Sequence, residues 1–218
     1  MNSRSRTPDK ILEAARRLFN EKGYAATTLT EIAAAAGIAQ GNLTYHFPTK
    51  LDLVLRLEEQ AKTTTSERRA KLAPGTIADD YVEHLLFAME LTWNNRFMLR
   101  DRSQYLKDQS AIGSSTESVA DYAELESLIQ RIEQENMFRQ DLGVSLKELT
   151  TSLWIVSRYW MDYLRETEGL SDIGWADQER GIQQHFAVLL PCLNATARKK
   201  FQAALAQASK QPFRPDTK

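Results

Sequence analysis

Apolar positions recur at helical spacing from the start of the chain. Ile11, Ala15, Leu18 and Phe19 share one face of a helix predicted over about residues 8–22, with Thr7 as its cap, Pro8 at its first position and Gly23 as its stop. Thr28-Leu29-Thr30-Glu31 is a capping box, in which the threonine hydroxyl takes a backbone N–H and the glutamate reaches back to the cap. It starts a short second helix of small residues, Ile32 and Ala33 to Ala36. Gly37 and Ile38 then make a turn into a third helix, Gln40 to Phe47, which Pro48 ends. Two short helices joined at a glycine read as a helix-turn-helix, and the alanines let them cross closely. Thr49-Lys50-Leu51-Asp52 is a second capping pattern and launches a long helix to about Leu72.

Pro74-Gly75 is the predicted boundary between a domain of residues 1–57, whose fourth helix continues to about 72 as a connector, and a larger one of residues 75–210. Beyond it Tyr81, Leu85, Ala88 and Trp93 form one amphipathic stripe, and Val119, Tyr122, Leu125, Ile129 and Ile132 form another. Ser145-Leu146-Lys147-Glu148 caps a third helix, ended by Gly169. Its apolar residues, Leu149, Leu153, Trp154, Val156, Tyr159, Trp160, Tyr163 and Leu164, cover more than one stripe, so it is expected to be buried on two sides. A further helix spans about Gln178 to Leu193, followed by a polar segment with Pro212 and Pro215. Neither strand-like alternation nor an internal repeat is visible. The expected fold is all-α: an N-terminal three-helix helix-turn-helix domain and a larger C-terminal helical domain.

Composition narrows the class. At 218 residues, 42% hydrophobic and 26% charged, the chain is ordinary for a globular protein. The one cysteine, Cys192, rules out an internal disulfide framework and suggests a reducing compartment. The segment Met1 to Lys10 is polar, and no apolar run nears the roughly 20 residues of a membrane helix. A cytoplasmic protein, neither exported nor embedded, is expected. Net charge is −1, yet residues 1–57 hold eight Lys/Arg against five Asp/Glu, a local +3 on an otherwise acidic body. That asymmetry suits phosphate contact by one end only. His46, His84 and His185 are too scattered for metal-ligand spacing, and neither a phosphate-cradling glycine loop nor a nucleophile elbow appears. No catalysis, metal or cofactor is expected.

The ordered set Thr27-Thr28-Leu29-Thr30-Glu31-Ile32-Ala33, Ala36-Gly37-Ile38 and Gly41-Asn42-Leu43-Thr44-Tyr45-His46-Phe47-Pro48-Thr49-Lys50-Leu51-Asp52-Leu53 resembles the DNA-binding signature of the TetR family. The resemblance spans roughly residues 8–57. It implies a homodimer on a palindromic double-stranded DNA operator and a C-terminal domain that binds a small molecule. It places Gln40, Gly41, Asn42 and Thr44 on the groove-facing side of the recognition helix. Their chemistry agrees: Asn and Gln amides pair bidentately with adenine, Thr meets polar edges or a thymine methyl, and Gly admits close approach. Tyr45 and His46 suit phosphate contact, joined by Thr28 and Lys50 at two helix N-termini. One departure bears on the bases read: Thr44 stands where many relatives carry an aromatic before Tyr45.

The C-terminal aromatics admit two readings. Trp93, Phe97, Tyr105, Phe138 and Trp154 are candidates to line a pocket for a small apolar or aromatic effector, and at helical spacing they equally suit core or interface packing. Arg96, Arg100, Asp101 and Arg102 read as a solvated helix end or as ion pairs. In the resembled family the last two long helices pair with their copies, which makes Trp160, Leu164, Phe186 and Leu190 the expected dimer interface. The function these features imply is a repressor released from its operator by an effector. The alternative is a DNA-organising or partner-regulated DNA-binding protein on the same fold without one.

Overall fold

The computed structural model describes residues 7–71, 75–106 and 116–208, so Leu72, Pro74, Pro212 and Pro215 lie outside the described residues. Eleven α-helices and no strands are found among the described residues. The chain divides into two units, Met1–Leu72 with Asn94–Gly113, and Ala73–Trp93 with Ser114–Lys218. Residues 94–106 thus return to the first unit, which a single boundary at Pro74-Gly75 does not anticipate.

The first unit holds α1 (Thr7–Lys22), α2 (Leu29–Ala36), α3 (Gln40–His46) and α4 (Lys50–Lys71), together with short α6 (Phe97–Arg100) and α7 (Arg102–Leu106). Ile11, Leu18 and Phe19 of α1 meet Ile32, Leu43, Leu53 and Leu57 in one core. At the α2–α3 turn Gly37 takes φ 70°, and the Ile38 N–H reaches back to Ala33 O at 3.0 Å. Only glycine adopts this left-handed cap at no steric cost.

A segment distant in sequence completes α1. The last carbonyls of a helix lack partners within it. Arg100 supplies donors, with Nη2 on Phe19 O at 2.6 Å and Nη1 on Asn20 O at 3.1 Å. Asp101, only 3% exposed, accepts the Tyr24 N–H at 2.8 Å and pairs with Arg100 at 2.8 Å. Asn20 closes the strap by donating to Asn94 O at 2.8 Å and accepting from the Phe97 N–H at 3.1 Å.

The second unit is built from α5 (Ile77–Asn94, up to Trp93), α8 (Thr116–Gln134), α9 (Leu146–Glu166), α10 (Trp175–Leu189) and α11 (Ala195–Ala208). Tyr81, Leu85, Met89, Ile129, Ile132, Leu153 and Leu189 form its core. The polar segment expected after Leu193 contains α11, whose Ala197, Phe201 and Ala204 are buried in that core. These anchors fall at the helical spacing i, i+4 and i+7, but two of the three are alanines, which leaves only Phe201 as a strongly apolar mark in a polar segment. Inside the unit, fully buried His185 bridges the Tyr81 hydroxyl through Nε2 and the Ser157 hydroxyl through Nδ1, both at 2.8 Å. Burial lowers the His185 pKa to about 3 and so keeps the ring neutral.

Candidate nucleic-acid interface

Helix α3 has two faces. Leu43 is fully buried and Phe47, its C-cap, nearly so, which presses the helix onto the core of the first unit. Gln40, Gly41, Asn42 and Tyr45 face solvent, and Tyr45 is 82% exposed. An aromatic ring left so open, edge-on to His46 at 5.2 Å, does nothing for the fold. Gly41 is similar. A Cβ built there meets nothing within 4 Å, and its backbone is not left-handed, so no contact inside the protein requires glycine.

Hydrogen bonds decide what each side chain can offer. The Thr44 hydroxyl donates back to Gln40 O and Gly41 O, each 3.2 Å away, which commits its hydrogen and leaves its methyl group and the oxygen's lone pairs for a partner. The amide of Asn42 has no partner among the described residues. The Thr30 hydroxyl donates to Gln40 Oε1 at 2.9 Å. Thr28 forms the expected capping box, accepting from the Glu31 N–H at 3.2 Å and donating to Glu31 Oε2 at 2.9 Å. A hydrogen bond from Lys22 and those from Thr28 lower the Glu31 pKa to about 2. The Lys22–Glu31 pair, 2.8 Å long, thereby neutralises the acidic group in the first turn of α2.

Lys50 has partners inside the protein. Placed by the sequence as a phosphate contact, its ammonium instead donates to Tyr24 O at 2.7 Å and Thr27 O at 2.9 Å, with Ala25 O at 3.4 Å. It also lies 4.5 Å from the centre of the Tyr24 ring. All three donors of the group are engaged, and partial burial lowers its pKa. Lys50 therefore ties the α1–α2 turn to the start of α4.

Several C-terminal assignments also change. Phe97 and Tyr105 are buried in the core of the first unit, where Phe97 packs on Phe19 at 5.1 Å and Tyr105 on Tyr24 at 5.6 Å, so they line no pocket in the second. Trp93 is buried in the second unit, edge-on to Trp175 at 5.9 Å. Phe138 and Trp154 pack partly buried against its core. Leu164 and Phe186 are buried within their own unit, and Trp160 donates its Nε1–H to Asp177 O at 2.8 Å while covering Gly181. Leu190 packs partly buried on the same core. Leu164 and Phe186 are thus packing residues within one subunit, while Trp160 and Leu190 keep part of their surface exposed. The apolar side chains of α9 that do face solvent are Ile155, Tyr159 and Tyr163, which are 48%, 48% and 45% exposed and four residues apart on one face. Sequence reading missed them because that helix is apolar nearly all round. The ion-pair reading of the charged run holds for Arg100 and Asp101, but their attachment to α1 was not foreseen, its signal being the flanking aromatics Phe97 and Tyr105.

Comparison with known proteins agrees with this geometry. Residues 11–57 match a family model described as bacterial regulatory proteins, tetR family, and residues 56–201 match one described as bacterial transcriptional repressor. The chain is 38% identical over 81 residues to the HTH-type transcriptional regulator CymR of Pseudomonas putida, a match covering 37% of this chain and 40% of CymR. It therefore spans about two fifths of that relative's length, and smaller shares of the next ones. Among solved structures, a TetR-family transcriptional regulator from Marinobacter aquaeolei VT8 superposes with a TM-score of 0.74 at 23% identity, covering 93% of this chain and 98% of the other. The TetR-family protein CprB from S. coelicolor A3(2) does so with a TM-score of 0.66 at 21% identity, covering 94% and 99%. At these identities the structural likeness is one of fold. Among the described residues no helix is long and apolar enough to cross a membrane.

Proposed function

This chain belongs to the TetR family of bacterial transcriptional regulators, and on that premise we propose that it binds a palindromic operator as a homodimer and is released by a small apolar or aromatic effector. The observation that carries the reading is the outward face of α3, where Gln40, Gly41, Asn42 and Tyr45 are held open while Leu43 and Phe47 fix the helix beneath them. A recognition helix needs this division between an anchored inner face and a free outer one. Asn42 and Gln40 read base edges, the Thr44 methyl suits a thymine methyl, and Gly41 admits close backbone approach. Tyr45, His46 and the Thr28 end of α2 hold phosphates.

One such helix covers too few base pairs to find a site in a genome, so the reading requires a two-fold copy. The exposed row Ile155, Tyr159 and Tyr163 on α9 supports a self-complementary surface, because a two-fold contact buries the same apolar groups twice. In the second unit, Trp154 Nε1 and Gln178 Oε1 are buried without hydrogen-bond partners among the described residues. Buried polar atoms ordinarily have partners, and two left open among apolar helices favour a ligand with few polar groups. Such a ligand releases DNA only if it binds the DNA-free arrangement more tightly. The test is a mobility-shift titration against genomic fragments at moderate salt, with candidate compounds added afterwards. Preference for a few fragments, relieved by a compound that quenches tryptophan fluorescence, supports the reading, whereas indiscriminate binding refutes it.

A further inference from the structure

Thr30 sits in the first turn of α2, where its hydroxyl has no capping duty because Thr28 performs it. The residue is exposed and β-branched, a poor choice for a surface helix position on propensity alone. Its hydroxyl makes one hydrogen bond, to Gln40 Oε1 at 2.9 Å, ten residues along at the first position of the recognition helix. A carboxamide is planar, with its oxygen and its nitrogen on opposite branches of one carbon. With the oxygen held by Thr30, the nitrogen faces away from α2. Asn42 has no such tether among the described residues and keeps both ends of its amide available.

Resting on the operator-binding reading above, we infer that Thr30 is a positioning residue for base recognition, which fixes the Gln40 carboxamide nitrogen-outward so that this position reads a hydrogen-bond acceptor. In the major groove guanine O6 and N7 and thymine O4 meet that donor fully, whereas adenine offers only N7 and leaves its exocyclic amine without the oxygen that Thr30 holds. A freely turning glutamine would instead favour adenine, offering its oxygen to the exocyclic amine and its nitrogen to N7 at once. Gln40 and Asn42 therefore read different bases although both are amides: Asn42 takes the bidentate adenine contact and Gln40 the acceptor-only edge.

The experiment compares full-length protein with Thr30→Val, Thr30→Ser and Gln40→Ala on a set of duplexes carrying all four bases at each operator position. Valine keeps the shape and deletes the hydroxyl, and serine keeps the hydroxyl. The unmodified protein is expected to prefer guanine or thymine at the position that Gln40→Ala flattens. Thr30→Val should reduce that preference by about threefold to tenfold, the worth of one hydrogen bond, with adenine gaining and other positions unchanged. Thr30→Ser should restore it. Thermal melting of each variant separates a folding loss, which lowers binding to every duplex alike. If Thr30→Val leaves the preference intact, or weakens all duplexes equally without rescue by serine, the inference is overturned. If the unmodified protein discriminates at no position, operator reading itself fails, and the two failures are told apart by that control.

Discussion

Replacing Gly41 by alanine should strengthen the protein and weaken its grip on DNA. The residue lies within the helix Gln40–His46, where glycine gives up more conformational freedom on folding than any other residue. An added Cβ meets no atom within 4 Å, so the substitution brings no clash inside the protein. The expected gain is about 0.5–1 kcal/mol, the usual difference between the two residues in a helix. For a chain of this size that raises the melting temperature by roughly 2–4 °C per kcal/mol. The same methyl group projects from the outer face of α3, where a base pair would come against the backbone. A cost on the operator of about 1–3 kcal/mol, or five- to more than a hundredfold in affinity, is expected there. Calorimetry and fluorescence anisotropy on one preparation read both quantities. A variant that melts higher and binds the operator unchanged would refute the assignment of Gly41 to the groove, and one that melts lower would refute the packing argument.

Asp101→Ala should cost about 3 kcal/mol, because it leaves the Arg100 guanidinium and the Tyr24 N–H without their buried acceptor, and hydrogen exchange should locate the loss in α1. Protection unchanged along α1 would contradict the role given to the strap. His185, held neutral with a pKa of about 3 against an ordinary 6.5, binds its proton later than it does in the unfolded chain. Its contribution to stability is therefore complete above pH 6.5 and falls by about 1.4 kcal/mol per pH unit as acid is added down to about pH 3. A His185→Gln variant should lose that slope in urea titrations between pH 6.5 and 4, and an unaltered slope would assign it to other groups. Tyr159→Glu with Tyr163→Glu should give a folded monomer by light scattering, since both rings are about half exposed in one subunit. A persistent dimer would move the interface elsewhere.

The helix-turn-helix was legible because its signals are local. Thr28 with Glu31, Thr49 with Asp52, Ser145 with Glu148 and the Gly37 turn each depend on neighbours within a few residues, and each forms as its spacing implies. What escaped the sequence depends on distant partners. Lys50 looks like a free cation until the carbonyls of the α1–α2 turn, more than twenty residues back, are brought to it. Phe97 and Tyr105 look like pocket aromatics because nothing in a linear reading returns residues 94–106 to α1. Leu164, Phe186 and Trp160 carry the right hydrophobicity for an interface, but which side of a helix apolar nearly all round meets its own subunit is decided by the neighbours of α9 and α10.

Sequence-specific binding by the outer face of α3 is tested most directly by anisotropy titration of the intact protein. One duplex is the preferred fragment, and the other is a scramble of the same composition, each measured from low to physiological salt. The expected result is binding to the preferred duplex at least about a thousandfold tighter at physiological salt, with both affinities falling as salt rises. Equal affinities for the two duplexes at every salt concentration would contradict it.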